Sequence, residues 1–488
     1  MGFVVRKVKN MDTISYNLAR SGKVSPAAPY HAIVHKDDST VWAEDSEGKT
    51  IAYGVAGEED AAVIQSALDS LTEGRTSKET VVLRGSFTCE EGLLVPSYTK
   101  ISIEGVLKLK DGANEPLIRN KNYSKETNNA DSEIEIIGGT LDGNKSEQGA
   151  SPADVVKFVG VAGLRILNAT LTSAYDQCID LSYCADVQIV NCGLNNGREN
   201  ALRISSGCYD VQVANCIISS VSEDGILTGG SPDATKITIS NTLINSVGKH
   251  GIACAGSDIL VSNCRIEDTG GNGMRIANAT KGTINNVVIY DTDEDGIALL
   301  SASYFVIGGG LLYSVGNEAG KSGIYADYDS VYITVQNCYI KSIYGPAIKL
   351  NDTQYFKLSH CYLSPPTDQY TILESGTSDY NTFVENYFLD GAGVSITGTN
   401  TIFRRNEGVN ALTENSGTAT FSGDGSTTQF SIPHGLVSTP TKVQVTPLTE
   451  DAAGDFYVTA DATNIYINYL SPPASGADNV KVSWSAEV

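Results

Sequence analysis

Apolar and polar positions alternate with a period of two through much of the chain, and a recurring corner interrupts the alternation. Aligning "ILNATL", "IVNCGL", "VANCII", "ISNTLI", "VSNCRI", "INNVVI", "VQNCYI" and "LSHCYL" places Asn168, Asn191, Asn215, Asn241, Asn263, Asn286 and Asn337 in one column, with Gly309 and His360 filling the remaining places. The intervals run from 22 to 28 residues. That is too short for helical hairpin repeats and fits one coil of three short strands, stacked in parallel. Asn suits such a corner because it tolerates left-handed backbone geometry and can bond its own turn. The next residue is often Cys, at Cys192, Cys216, Cys264, Cys338 and Cys361, which predicts an inward column of reduced, buried thiols. No CxxC occurs, so the strongest metal-site pattern is missing and no metal ligands are assigned.

The pattern predicts an all-β chain: a right-handed parallel β-helix with coils of about 24 residues, spanning 58–412. Its first element is the segment "EEDAAVIQSALDSL" (58–71), where Ala62, Val63, Ala67, Leu68 and Leu71 recur at helical spacing. A short helix there would cap the open end of the stack. Residues 1–57 carry no repeat and are expected to be an attachment or oligomerisation segment. The period stops after "TIFRRNEGVN" (401–410), and 413–488 alternates strongly between turn signals. A small C-terminal β-sandwich-like module is expected there.

Composition narrows the function. Tyr, at 24, outnumbers Phe and Trp together, at 11 and 2, which suits strands and carbohydrate-facing surfaces. The net charge of −23 argues against nucleic acid as a partner, because phosphate binding needs a basic footprint. No apolar run is long enough for a membrane span, and the opening residues lack the apolar core of a classical signal peptide.

Candidate chemistry gathers just before one strand of each coil. The segments "DQCIDL", "ENALRI", "EDGILT", "KHGIAC", "GNGMRI", "EDGIAL", "KSGIYA" and "GPAIKL" place Gln177, Asn200, Asp224, His250, Asn272, Asp295, Ser322 and Pro346 in one column. A second column holds Asp180, Arg203, Leu227, Ala253, Arg275, Ala298, Tyr325 and Lys349. Both are expected on an exterior strip along which an extended ligand could lie. Glu223–Asp224, Lys249–His250 and Arg275 fall on three consecutive coils. Glu199 and Asp224 are one coil apart and Asp180 and Asp224 two, separations compatible with inverting hydrolysis. Asp295, three coils from Asp224, is too distant to pair with it and forms a second cluster with Glu294 and Tyr325.

"SEDGILTGG", "GKHGIACAG" and "GNGMRIAN" resemble, in order and coil spacing, the signature segments of polygalacturonase-type glycoside hydrolases, and "IIGGTLDGN" (136–144) resembles an early coil of that family. The resemblance implies Asp224, with Glu223, as catalytic acid or base, His250 as an orienting group and Arg275 as a substrate contact. The coil where the family has its first acidic segment holds Glu199 and Asn200 here, and Glu199 is a further candidate partner for Asp224 by its spacing. Asp180, Arg203, Lys249, Asp295 and Tyr325 would line the rest of the groove. The sequence departs from the pattern at Lys249, where the family has Gly, and at Ala277, where it has Lys. The chain as a whole, with its "D-A-A-x-I-Q-x-A-L" capping segment and its terminal "FSGDGSTTQFSIPHGL", resembles phage tailspikes of the pectate-lyase-like superfamily. That resemblance implies a homotrimer on a virion or outside the cell, binding and cleaving a polysaccharide by hydrolysis without a cofactor. Two alternatives stay open. One is a lyase, in which Arg203, Lys249 or His250 abstracts a proton and an Arg or Ca²⁺ neutralises a uronate. The other is a non-catalytic glycan-binding adhesin or structural spike.

Overall fold

Asn168, Asn191, Asn215, Asn241 and Asn263 all turn the chain through left-handed backbone, with φ between +49° and +56°. Strands paired in register precede them: Leu167 faces Val190, Val190 faces Ala214, Ala214 faces Ser240 and Ser240 faces Ser262. The Asn191 amide also donates to Asn168 Oδ1 at 3.0 Å. The corner predicted from the repeat is therefore a stacked column. The computed structural model describes residues 29–231, 233–390, 393–408 and 412–488. Residues 1–28 of the expected attachment segment lie outside them.

The chain divides into two compact units, Met1–Thr283 and Ile284–Val488. Together they supply about 14 turns of parallel β-solenoid. In the first unit a coil is three strands, for example Ile179–Ser182, Ala185–Val190 and Gly193–Asn195, on what we call the first, second and third faces. Each strand pairs in parallel with its counterparts one coil before and after. Alternate side chains such as Ile179, Leu181, Val187, Ile189 and Leu194 point inward and are buried. Each such aliphatic side chain stabilises the stack by about 1.5–3 kcal/mol. All ten cysteines are free and buried, and Cys192 donates its thiol hydrogen to backbone carbonyls of Ile166 and Val190.

The capping helix forms over Asp60–Asp69 and buries Ala61, Val63, Ile64, Ala67 and Leu68. Asp60 anchors it: fully buried, it pairs with Lys36 Nζ at 2.6 Å and accepts from the amides of Thr88 and Gly57. Before the helix, Ala32–Lys36, Thr40–Asp45 and Thr50–Val55 make an antiparallel meander. Its first strand pairs in parallel with Glu79–Cys89. Residues 29–57, which show no repeat in sequence, thus carry strands that join the stack.

In the second unit the coils run from Ile297–Leu300 to Ile402–Arg404. After them come two three-stranded antiparallel sheets. They enclose a small core of Ile432, Ile465, Ile467, Val480, Val482 and Trp484.

Candidate functional site

The polar column before the first face is a ladder of backbone caps. Gln177 N–H donates to Asp154 Oδ1 at 3.0 Å, Asn200 N–H to Gln177 Oε1 at 3.1 Å, and Asp224 N–H to Asn200 Oδ1 at 3.1 Å. The series continues with His250 N–H to Asp224 Oδ1 at 2.9 Å and Asn272 N–H to His250 Nδ1 at 3.0 Å. Each side chain accepts the amide of the coil that follows, so the residue type must offer a short acceptor. Asp, Asn, Gln and His all do. Because His250 Nδ1 accepts, its ring proton sits on Nε2. The small residues that follow this column are required by the same stacking. A Cβ on Gly225 would lie 2.6 Å from Gly251 O.

This ladder places the sequence-assigned residues differently from an open exterior strip. Asp224 is buried, as are Asp180 and Asp295, because each serves the coil above or beside it. Burial pushes the Asp224 carboxyl above the usual carboxylate range, against the opposing pull of the His250 amide. Its Oδ2 makes no hydrogen bond with any described residue. Glu223, half-buried beside it, is ion-paired with the exposed Lys249. Glu199, also half-buried, accepts a short hydrogen bond from Gln177 Nε2. These groups are brought together around one corner. Asp180 lies instead on the outer side of the first face, covered and clamped by Lys157 Nζ at 2.7 Å and a bidentate Arg203 at 2.8 and 3.0 Å. It is part of a charge ladder that also touches Asp154, whose carboxyl burial and the Asp180 charge push up to about 7.

Beside that ladder the first face opens into a cleft of about 530 Å³. Arg203, Leu227, Gly229, Ala253, Arg275 and Asn278 are among its lining residues. Leu227 is in register with Arg203 and with Ala253, so the floor is small and apolar between arginines. The wall after Thr228 needs glycine. Gly230 has φ +121°, and a Cβ there would lie 2.2 Å from Ser206 N. No carboxylate is among the described residues that line the cleft. Arg275 is half-buried and, unlike the other described arginines, has no ion pair, hydrogen bond or stacked ring among the described residues.

Asp295 and Tyr325 belong to the second unit. Ser322 N–H donates to Asp295 Oδ1 at 2.6 Å, repeating the capping ladder, and burial raises Asp295 to about 6. Tyr325 donates a short hydrogen bond to Asp327, and Lys349 Nζ lies 5.1 Å from the centre of its ring. Sequence reasoning found the polar column and missed its structural role. The signal was present: from Gln177 to Asp295 the column holds a side-chain acceptor on each coil, including coils with no acid.

The family model for the right-handed β-helix region matches residues 225–407. Three solved structures are similar in fold. The A-module of mannuronan C-5 epimerase AlgE4 from Azotobacter vinelandii is 15% identical, with 72% of this chain and 96% of that one covered and a TM-score of 0.54. The tailspike protein gp49 of Pseudomonas phage LKA1 is 12% identical, with 88% and 93% covered and a TM-score of 0.51. The tailspike protein of E. coli bacteriophage HK620, in complex with a pentasaccharide, is 11% identical, with 91% and 92% covered and a TM-score of 0.54. No curated protein matches by sequence. The fold is thus a right-handed parallel β-helix, shared with these structures.

Proposed function

We propose that this chain is a tailspike-like glycan-binding protein that holds an extended polysaccharide in the cleft between Arg203 and Arg275. The observation that carries the reading is Arg275. A half-buried guanidinium with no partner among the described residues, over an apolar floor, keeps five donors for a ligand. The pentasaccharide bound to the HK620 tailspike supports a sugar as that ligand. Arg275→Ala should weaken binding to a cognate polysaccharide at least tenfold, measured by calorimetry against a panel of bacterial surface polysaccharides. Unchanged affinity would place the glycan elsewhere.

A second reading, hydrolysis, is favoured by Asp224. Its carboxyl is raised by burial, its Oδ2 has no hydrogen bond among the described residues, and Glu223 lies next to it. In that mechanism protonated Asp224 delivers its proton to the glycosidic oxygen, and Glu223 or Glu199 activates water; no metal or cofactor takes part. New reducing ends without an unsaturated product are the expected outcome, whereas an unsaturated sugar would mean elimination. The assembly proposed is a virion-associated or extracellular homotrimer. The third face of the second unit offers a contact surface, with Tyr290, Leu311, Tyr313, Tyr362 and Tyr387 exposed on it. Light scattering should return three times the chain mass.

A further inference from the structure

One turn register changes character between the two units. In the first unit the left-handed residue that opens the second face is Tyr98, Glu133 and Gly163 on the early coils and then Asp186, Asp210, Lys236, Asp258 and Lys281, the last five with φ between +50° and +58°. In the second unit the same position is Tyr304, Tyr332, Tyr355 and Tyr380 on four successive coils, with φ of +61°, +57°, +55° and +55°. The preceding residues pair in register, Ser303 with Val331, Val331 with Gln354 and Gln354 with Asp379. The tyrosines therefore stack into a ladder, with ring centroids 5.0, 4.9 and 5.4 Å apart and planes within 17° of parallel.

The turn itself does not call for tyrosine. A bulky side chain in left-handed backbone is an outlier, and the five coils before Tyr304 fill this corner with Asp or Lys. Nor does burial explain the choice, since the four rings are 58, 47, 43 and 48% exposed. None of the four phenolic hydroxyls has a hydrogen-bond partner among the described residues, whereas Tyr325, Tyr466 and Tyr469 each use theirs. The result is a row of free hydroxyls and aromatic edges at coil spacing. The nearby Asp379 carboxylate is directed to Asn400 and to the Tyr380 amide.

We propose that Tyr304, Tyr332, Tyr355 and Tyr380 form a second carbohydrate-contact strip that takes an uncharged, hydroxyl-rich glycan running along the solenoid axis. A periodic row of neutral donors and acceptors fits a periodic neutral polymer, and the four side chains themselves bring no charge to an acidic one. The proposal rests on the glycan-binding reading above but uses a different unit and different side chains from the cleft, so the two can fail separately.

The test uses the full chain, with cellohexaose, maltohexaose, laminarihexaose and hexagalacturonate as probes in saturation-transfer NMR and calorimetry. At least one neutral hexasaccharide should bind the unmodified protein. The double variant Tyr332→Asp/Tyr355→Asp, which copies the residue found at this corner in the first unit, should lower that affinity at least tenfold. Tyr332→Phe/Tyr355→Phe keeps the stacked rings and should give a smaller loss. Tyr457→Ala, at an exposed tyrosine outside both the strip and the cleft, should change neutral-sugar affinity less than twofold. Failure of every neutral probe to bind overturns the strip. So does wild-type affinity in the Asp double variant, and so does a drop in assembly mass in that variant, which would make the strip a protein interface.

Discussion

At Asp224 one carboxylate oxygen serves the fold and the other has no hydrogen bond among the described residues, and two substitutions separate those roles. Asp224→Asn keeps an oxygen to accept the His250 amide, so the melting temperature should shift little. Under the hydrolysis reading the same variant removes the proton donor, and turnover should fall by about 10²–10⁴, read as new reducing ends. Asp224→Ala also leaves a buried N–H without its acceptor and should destabilise the first unit by about 1–3 kcal/mol, measured by denaturant unfolding. If Asp224→Asn cleaves as well as the unmodified protein while Asp224→Ala is destabilised, Asp224 is a cap and nothing more. His250 follows the same logic. Its Nδ1 accepts the Asn272 amide, and Gly271 leaves room for the ring, since a Cβ there would lie 2.7 Å from Nδ1.

The elements were legible in the sequence to different depths. The asparagine corners could be read because left-handed backbone selects few residue types, and the stacked thiols followed from the corner register. The helix over Asp60–Asp69 was legible from its apolar spacing. Its anchor was not, because Lys36 and Thr88 lie 24 and 28 residues away in the chain. The strands over 32–55 escaped because they carry no repeat, and the capping ladder because its donors are amides of the next coil. Asp60 gives the clearest test at this scale. A buried carboxylate with a lysine and two amide partners leaves an uncompensated ammonium when removed, so Asp60→Ala should cost about 3–5 kcal/mol. Proteolysis or hydrogen exchange should show the loss first around residues 32–89. Equal protection there in the variant would mean that the helix is held by its apolar face alone.

Across the whole chain, a net charge of −23 sits over buried carboxyls whose folded-state values are raised, Asp224 among them, and two of these, Asp154 and Asp295, rise to about 7 and about 6. In both cases burial is the main cause, with a nearby carboxylate adding to it. A carboxyl raised on folding binds its proton more tightly in the native state than in the unfolded chain. Its contribution to stability is therefore fully present below the unfolded value near 3.8, and it is lost as pH rises towards the folded value. For Asp295 that window closes near pH 6 and for Asp154 near pH 7. Carboxyls lowered on folding act oppositely at the acid end. Glu79 and Glu135 have hydrogen-bonding and charged partners that outweigh their burial; their contribution is lost as pH falls through the folded values. The two trends predict greatest stability in mildly acid solution and a decline of a few kcal/mol by pH 8, on the scale of about 1.4 kcal/mol per pH unit per proton. Asp154→Asn keeps an oxygen for the Gln177 amide and removes the charge that must be buried above neutrality. It should be more stable than the unmodified protein at pH 8 and lose that advantage at pH 4, by thermal unfolding of the full chain at both values. If the advantage is the same at both, Asp154 does not change protonation between them, and the ion pair with Lys157 keeps it charged throughout.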